Sequence, residues 1–187
     1  MARRDGRLRA WASNWGARPE EVAAALPCDP LLPEAPLVLH RAVSVAADAP
    51  LLWRWLCQLR AAPYSYDWLD NFGRRSPQRL TPGLDELAAG QRAMTIFRVV
   101  GFARGEHLTL RHATRATGEY VVTYAARPDG GGTRLLARFR ATPPALPPIV
   151  REPLTTAGIV VDLAMARRQL LNLKALAERD ARAGVRV

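Results

Sequence analysis

The sequence has few of the residues that build disulfide-bonded or metal-centred proteins. It contains two cysteines, Cys28 and Cys57, and three histidines in 187 residues. Two cysteines without metal-ligand spacing make neither a disulfide framework nor a zinc site, and they are typical of reduced thiols in a cytoplasmic protein. His107 and His112 lie five positions apart on one predicted strand and therefore on opposite faces, so they cannot share a metal ion there. No metal or other cofactor is predicted.

Long apolar runs are also missing, as are the common catalytic motifs. No run approaches the roughly 20 residues that cross a bilayer, so no membrane span is predicted. The basic residues 1–7 lead into no apolar segment, which disfavours a secretory signal. The sequence contains no Gly-x-Ser-x-Gly elbow and no phosphate-binding loop, and a hairpin turn explains the glycine run at 130–132. These absences leave a cytoplasmic protein with a single core.

Lysine is nearly absent. Every basic residue except Lys174 is arginine, and 27 basic against 17 acidic residues give a net charge of +10. The arginines are spread from Arg3 to Arg186 rather than gathered in one block. This distribution favours a solvated basic surface over a nucleic-acid site, because net charge alone bears on solubility and non-specific binding. A basic module for nucleic acid or acidic protein is kept as an alternative.

The most regular pattern present is a helical stripe near the C-terminus. Apolar residues recur there at spacings of four and three, at Ile159, Leu163, Ala166, Leu170, Leu173 and Ala177. This spacing predicts a helix over 155–182, with Pro153 as a start signal and Gly184 as a stop. Such a helix is about 40 Å long, so its stripe needs a broad partner surface.

The partner is a set of predicted strands. The first covers 37–46, and a helix over 51–59, capped by Asp48, follows it. Further strands are predicted at 92–94, 96–102, 107–112, 119–126 and 133–142, with a hairpin turn at 129–132. Hairpins make the sheet antiparallel, which predicts an α+β fold: a curved antiparallel sheet packed around the long C-terminal helix. Residues 1–36 are predicted as a leader that wraps this domain, and 37–187 as the domain itself.

Three stretches carry a family resemblance: 41–56, 64–71 and 165–174. They resemble the SRPBCC superfamily, which includes START, Bet v 1-like and polyketide-cyclase-like proteins, and are similar to an uncharacterised bacterial branch of it. The resemblance covers about residues 15–180. It implies a helix-grip fold with a cavity between sheet and helix. Members bind lipids, hormones or polyketides, and some are cyclases, hydrolases or chaperone activators; the fold does not choose among these roles.

An aromatic loop at 64–71 is a candidate site, because it lies where the mouth of such a cavity is expected. Tyr64, Tyr66 and Trp68 can each present a ring to a ligand, and the tyrosines add a hydroxyl. Asp67 adds a carboxylate. The alternative is that the aromatics plug the end of the sheet while Asp67 caps the next helix, and the capping preference of aspartate favours this alternative.

Arg41 is a second candidate, since it shares a strand face with apolar neighbours. If that face is concave, the buried guanidinium needs a carboxylate such as Asp67, Asp70 or Glu119, or an acidic ligand group. The alternative is that the long side chain reaches solvent.

Tyr120 and Tyr124 share a strand face, and Met165 lies on the long helix. All three are predicted as core or pocket wall. The sequence thus predicts binding of a small hydrophobic or amphipathic molecule between the sheet and the C-terminal helix. The alternative is a polyketide cyclase/dehydrase-like enzyme in which Asp67, Tyr66 or Arg41 assists proton transfer in the same cavity. Whether the protein is an enzyme is left open here, and no oligomeric state is predicted.

Overall fold

The computed structural model describes residues 9–185. The basic run at 1–7, and with it the prediction about a secretory signal, lies outside the described residues. The elements in chain order are β1 (Asn14–Trp15), α1 (Pro19–Ala23), β2 (Leu37–Val45), α2 (Ala49–Cys57), a 3₁₀ helix (Gln58–Arg60), α3 (Asp67–Asp70), β3 (Arg92–Ala93), β4 (Phe97–Ala103), β5 (His107–Thr114), β6 (Gly118–Asp129), β7 (Gly132–Thr142) and α4 (Pro148–Arg182).

The strands form one sheet in the order β1-β2-β7-β6-β5-β4-β3. All neighbouring pairs are antiparallel except β1 and β2, which run parallel. Gly130 and Gly131 both have positive φ, as the tight β6–β7 hairpin requires. The register shifts between Val99 and Gly101, and a bulge of this kind increases local twist. The predicted α+β class, a curved and mostly antiparallel sheet with a long C-terminal helix, is confirmed.

Helix α4 places its predicted stripe against the sheet. All six stripe residues are buried: Ile159, Leu163, Ala166, Leu170, Leu173 and Ala177. Gly184 adopts a φ of 70°, and Val185 donates its N–H to the Asp180 carbonyl at 3.0 Å, so the predicted stop is confirmed. Neither α4 nor any other helix between residues 9 and 185 is apolar over a sufficient length to cross a membrane.

The predicted start of α4 is wrong by about two turns. The helix begins at Pro148, and Pro153 lies inside it. Proline suits the first turn, where the missing N–H has no intrahelical acceptor, so Pro148 is the true start signal. Pro153 only forgoes one backbone hydrogen bond in the second turn.

Helix α2 closes one end of the core. The Asp48 carboxylate accepts the Leu51 N–H at 2.9 Å, which confirms the predicted cap. Trp55 is buried and donates its indole N–H to Asp180 Oδ2 at 3.1 Å. This bond ties α2 to the last turn of α4.

Residues 16–36 pack on the outer face of the sheet. Arg134, Arg138 and Arg140 alternate along β7 toward that face. Arg134 pairs with Glu21 at 2.6 Å, and Asp29 pairs with Arg138 at 2.6 Å and with Arg140 at 3.1 Å. The N-terminal segment is therefore held by partly buried ion pairs. A domain boundary at residue 36 stays a prediction.

Candidate functional site

A cavity of about 440 Å³ lies between α4 and the concave face of the sheet. On the sheet, the cavity is lined by Tyr120 and Tyr124 of β6 and by Phe139 of β7. Residues an even number of positions apart on a strand share a face, so the two tyrosines face the same side of the sheet. Helix α4 supplies Met165 and Gln169 among others. The full lining is Pro63, Ser65, Leu69, Asp70, Phe72, Met94, Thr95, Ile96, Phe97, Tyr120, Tyr124, Phe139, Gly158, Val161, Asp162, Met165, Ala166 and Gln169. Most of this wall is apolar.

The inner end of the cavity is closed by polar groups whose hydrogen bonds are made within the protein. The Tyr124 hydroxyl donates to Gln169 Oε1 at 2.6 Å, and Gln169 Nε2 donates to the Pro63 carbonyl at 2.6 Å. Burial raises the pKa of Tyr124, so the phenol stays protonated. The Tyr124 ring also meets Phe139 edge-on, with centroids 6.1 Å apart. Tyr124 is therefore a structural wall of the cavity.

The loop at 64–71 borders the cavity with residues other than its aromatic ones. Ser65, Leu69 and Asp70 line the space. Tyr64 is buried in the core and packs edge-on against Trp55 at 6.0 Å. Trp68 is 74% exposed and is not part of the cavity lining.

Tyr66 and Asp67 lie outside the lining as well. Asp67 was predicted to cap a helix, and this is wrong, since Tyr66 occupies the N-cap of α3. The Asp67 carboxylate instead accepts the Ser76 N–H at 2.7 Å and the Ser76 hydroxyl at 2.5 Å. These bonds hold the following loop in place. Ligand contact by Tyr64, Tyr66, Asp67 or Trp68 stays a prediction, and the cavity wall gives it no direct support.

Backbone strain is concentrated at this cavity. The described residues with positive φ, glycine aside, are Tyr64, Phe72, Met94 and Thr95, at 57°, 52°, 42° and 67°. Phe72, Met94 and Thr95 line the cavity, and Tyr64 lies between two lining residues. Side chains with a Cβ adopt this conformation at a cost of about 1–3 kcal/mol each, and such residues cluster at functional sites.

Arg41 is buried and pairs with a residue that the sequence interpretation missed. Its Nη2 donates to Asp162 Oδ2 at 2.8 Å, and Nη1 donates to the His40 carbonyl at 2.9 Å. The predicted partners Asp67, Asp70 and Glu119 were wrong. Asp162 follows Ile159 by three positions on α4, so it stands beside the apolar stripe and faces the sheet. The sequence did contain a signal for this partner, since Asp162 is the single carboxylate in the otherwise apolar run 159–163.

The Arg41–Asp162 pair brings charge into an apolar wall. Burial raises the pKa of Asp162, and the Arg41 guanidinium opposes that rise. Burial likewise lowers the pKa of Arg41, although an arginine remains charged at neutral pH. Asp162 lines the cavity and keeps about 24% of its side chain exposed, whereas the side chain of Arg41 is fully enclosed.

Asp70 is the second carboxylate at the cavity. Its Oδ1 is buried and accepts no hydrogen bond of normal geometry from residues 9–185; the Ser65 hydroxyl, which also makes none, lies near this carboxylate. Burial raises the pKa of Asp70, and the neighbouring Ser65 hydroxyl opposes that rise. A buried carboxylate oxygen without a partner is costly, so this oxygen is a natural acceptor for a donor from a bound molecule.

Three exposed arginines on the sheet form a short row that is separate from the arginines of β7. Arg92, Arg98 and Arg111 are direct cross-strand neighbours on β3, β4 and β5, and all three are exposed. Arg111 pairs with Glu119 at 2.5 Å. Like charges directly opposite each other repel, so the row is a feature of the surface and not a source of stability. Interaction with nucleic acid or acidic protein stays a prediction.

No protein-family model matches the chain, and no curated protein matches its sequence. Among solved structures, it is similar to the di-domain aromatase/cyclase StfQ from the steffimycin biosynthetic pathway, with 19% identity over 79% of this chain and 52% of that one and a TM-score of 0.46. It is also similar to the Zhui aromatase/cyclase from a Streptomyces species, with 13% identity over 80% and 98% of the two chains and a TM-score of 0.45. TTHA0849 from Thermus thermophilus has 13% identity over 77% and 99%, with a TM-score of 0.47.

Proposed function

We propose that the protein binds a small hydrophobic or amphipathic molecule in the cavity between α4 and the sheet. The observation that carries this proposal is the cavity itself, with about 440 Å³ of space behind a mostly apolar wall. Small-molecule sites in proteins commonly enclose about 300–1,000 Å³ and combine apolar walls with a few polar groups. Asp70 and Asp162, the latter held by Arg41 from behind the wall, are those polar groups here, so the ligand is expected to carry hydrogen-bonding groups on an apolar body.

The neutral dye Nile red tests this proposal with two adjacent valines of α4. Val161 lines the cavity and is 51% exposed, whereas Val160 is 39% exposed and lies outside the lining. Val161→Glu places a carboxylate against the apolar body of the dye, so we expect its affinity to fall about fivefold or more. Dye fluorescence titration measures this change.

Val160→Glu is the matched control, since it adds the same charge one residue away on the same helix. Its dye affinity should stay close to that of the unsubstituted protein. Equal losses in the two variants, or no saturable dye binding in either the variants or the parent, would remove the cavity as the binding site.

The second candidate function is an enzyme that uses the same cavity, as in polyketide cyclases and dehydrases. The observation that favours it is the unpartnered Oδ1 of Asp70 together with the raised pKa of that carboxyl. A carboxylate with a raised pKa is a stronger base than an ordinary one, so it is suited to abstracting a proton next to a carbonyl.

Dehydration of a β-hydroxy ketone tests this candidate, because the enone product absorbs in the ultraviolet. The Asp70 carboxylate removes the proton next to the carbonyl, and the hydroxyl leaves as water after taking a proton from the protonated Asp70 or from solvent. We expect the protein to accelerate this reaction and Asp70→Asn to abolish the acceleration while still melting cooperatively. The rate should rise with pH through a midpoint above that of an ordinary aspartate, since only the deprotonated form is a base. Equal rates for Asp70→Asn and the parent would rule Asp70 out.

A further inference from the structure

A second cavity, of about 260 Å³, lies next to the first along the first turns of α4. Tyr120, Phe139, Gly158 and Asp162 line both spaces. Two cavities that share four wall residues are separated by no more than one layer of side chains. The shared residues come from the sheet on one side and from α4 on the other.

Gly158 leaves that layer incomplete. A Cβ added at this position would meet no atom within 4 Å, apart from its own chain neighbours and helix backbone. The position is helical and its φ is not positive, so glycine is not needed there for backbone conformation. Gly158 is exposed and lines both cavities, so this open space lies where the two meet, on the solvent side.

Taken together, the two cavities form an elongated space. On α4 its wall runs from Arg151, at the outer end of the second cavity, to Gln169, at the inner end of the first. These residues are 18 positions apart, which corresponds to about 27 Å of helix at 1.5 Å per residue. An extended chain fits such a shape better than a compact ring system does. Arg151 is exposed and can receive an acidic end group.

Asp162 stands at the junction of the two spaces. Its Oδ2 accepts the hydrogen bond from Arg41, whereas Oδ1 accepts none from any residue between 9 and 185. Because the side chain is partly exposed and lines both cavities, Oδ1 is available to a bound molecule. A carboxylate oxygen in an apolar wall selects for a hydrogen-bond donor at that point along the ligand.

We propose that the ligand is an elongated, mostly apolar molecule that extends through both cavities and carries a hydroxyl or similar donor near its middle, where it donates to Asp162. This inference rests on the proposed function and adds the length of the ligand and the place of its donor. Gly158 is the residue that lets the chain pass, and Asp162 is the residue that recognises the hydroxyl.

Nile red displacement by three probes tests the two parts of the proposal. The probes are stearate, a hydroxystearate with its hydroxyl near mid-chain, and octanoate, which is short enough for one cavity. Hydroxystearate should bind about fivefold to tenfold more tightly than stearate, as one added hydrogen bond to a charged acceptor allows. In Gly158→Leu, the passage is filled, so both long probes should lose about tenfold more affinity than octanoate.

Gly158→Ala controls for helix propensity, since it removes glycine but adds only a methyl group. Its long-chain affinity should fall much less than that of Gly158→Leu. In Asp162→Asn, Arg41 donates to the amide oxygen and leaves the NH₂ facing the junction. The ligand hydroxyl can then only accept from the amide, and the stronger bond to a charged acceptor is gone, so the advantage of hydroxystearate over stearate should shrink.

Two results would overturn this inference and leave the proposed function standing. One is that stearate and octanoate lose affinity equally in Gly158→Leu; the other is that hydroxystearate shows no advantage in the parent protein. Failure of Nile red itself to bind with saturation would instead overturn the proposed function, and this inference with it.

Discussion

Replacing Leu170 with alanine should lower the free energy of unfolding by about 2–5 kcal/mol, as other large-to-small core substitutions do. Leu170 is 0% exposed and belongs to the main core between α2, α4 and the sheet. The loss has two parts, since apolar surface is no longer buried and the surrounding side chains cannot fully close the gap. Chemical denaturation monitored by tryptophan fluorescence measures it as a lower midpoint at an unchanged slope.

Leu154→Ala is the matched control for this result. It is the same substitution on the same helix, but Leu154 is 54% exposed. Its cost should stay within about 0.5 kcal/mol, as is usual for surface positions. If Leu170→Ala cost no more than Leu154→Ala, the apolar stripe of α4 would not be the face that packs on the sheet.

Replacing Arg41 with methionine should have an effect of similar size for an electrostatic reason. Removal of one partner leaves Asp162 as an uncompensated carboxylate in an apolar wall, and breaking a buried pair in this way commonly costs about 3–5 kcal/mol. We expect the lower end of that range, because about 24% of the Asp162 side chain remains exposed. The double variant Arg41→Met, Asp162→Leu removes both charges and should recover most of the loss.

The cost of Arg41→Met should also depend on pH. Without the guanidinium, the pKa of Asp162 in the folded protein lies further above its unfolded value. A raised pKa means that the folded state holds its proton more tightly than the unfolded state does, so the penalty applies in full above the folded pKa and is relieved as pH falls through it. The destabilisation should therefore shrink as the pH is lowered from neutral. An equal cost for the single and double variants at every pH would contradict a buried ion pair.

The fold could be predicted because its signals are local. Side chains alternate along a strand and recur every three to four positions along a helix as a matter of covalent geometry. That is why Tyr120 and Tyr124 share the inner face of β6, and why Leu163 and Leu170 share the buried face of α4. The cap at Asp48 and the stop at Gly184 are local in the same sense.

The details of the site could not be predicted in the same way. The direction of the Tyr64 side chain follows from a backbone φ of 57°, which a tyrosine does not signal, since glycine, asparagine and aspartate are the residues that favour that region. Arg41 finds its partner 121 residues away, at a position that depends on how α4 lies across the sheet. The space beside Gly158 is equally a product of packing. Each of these features exists only after the sheet and α4 have come together.

Methyl NMR of methionine is the most direct measurement of the central claim that the cavity holds a small apolar molecule. Met94 and Met165 both line the cavity and belong to distant parts of the chain, so their methyl groups report on its occupancy at two points. With ¹³C-methyl methionine in the protein, and with single Met→Leu variants to assign the signals, a titration with Nile red should shift both resonances. The shifts should saturate together at one dye per chain. Saturable dye binding without a shift of either the Met94 or the Met165 resonance would contradict binding in this cavity.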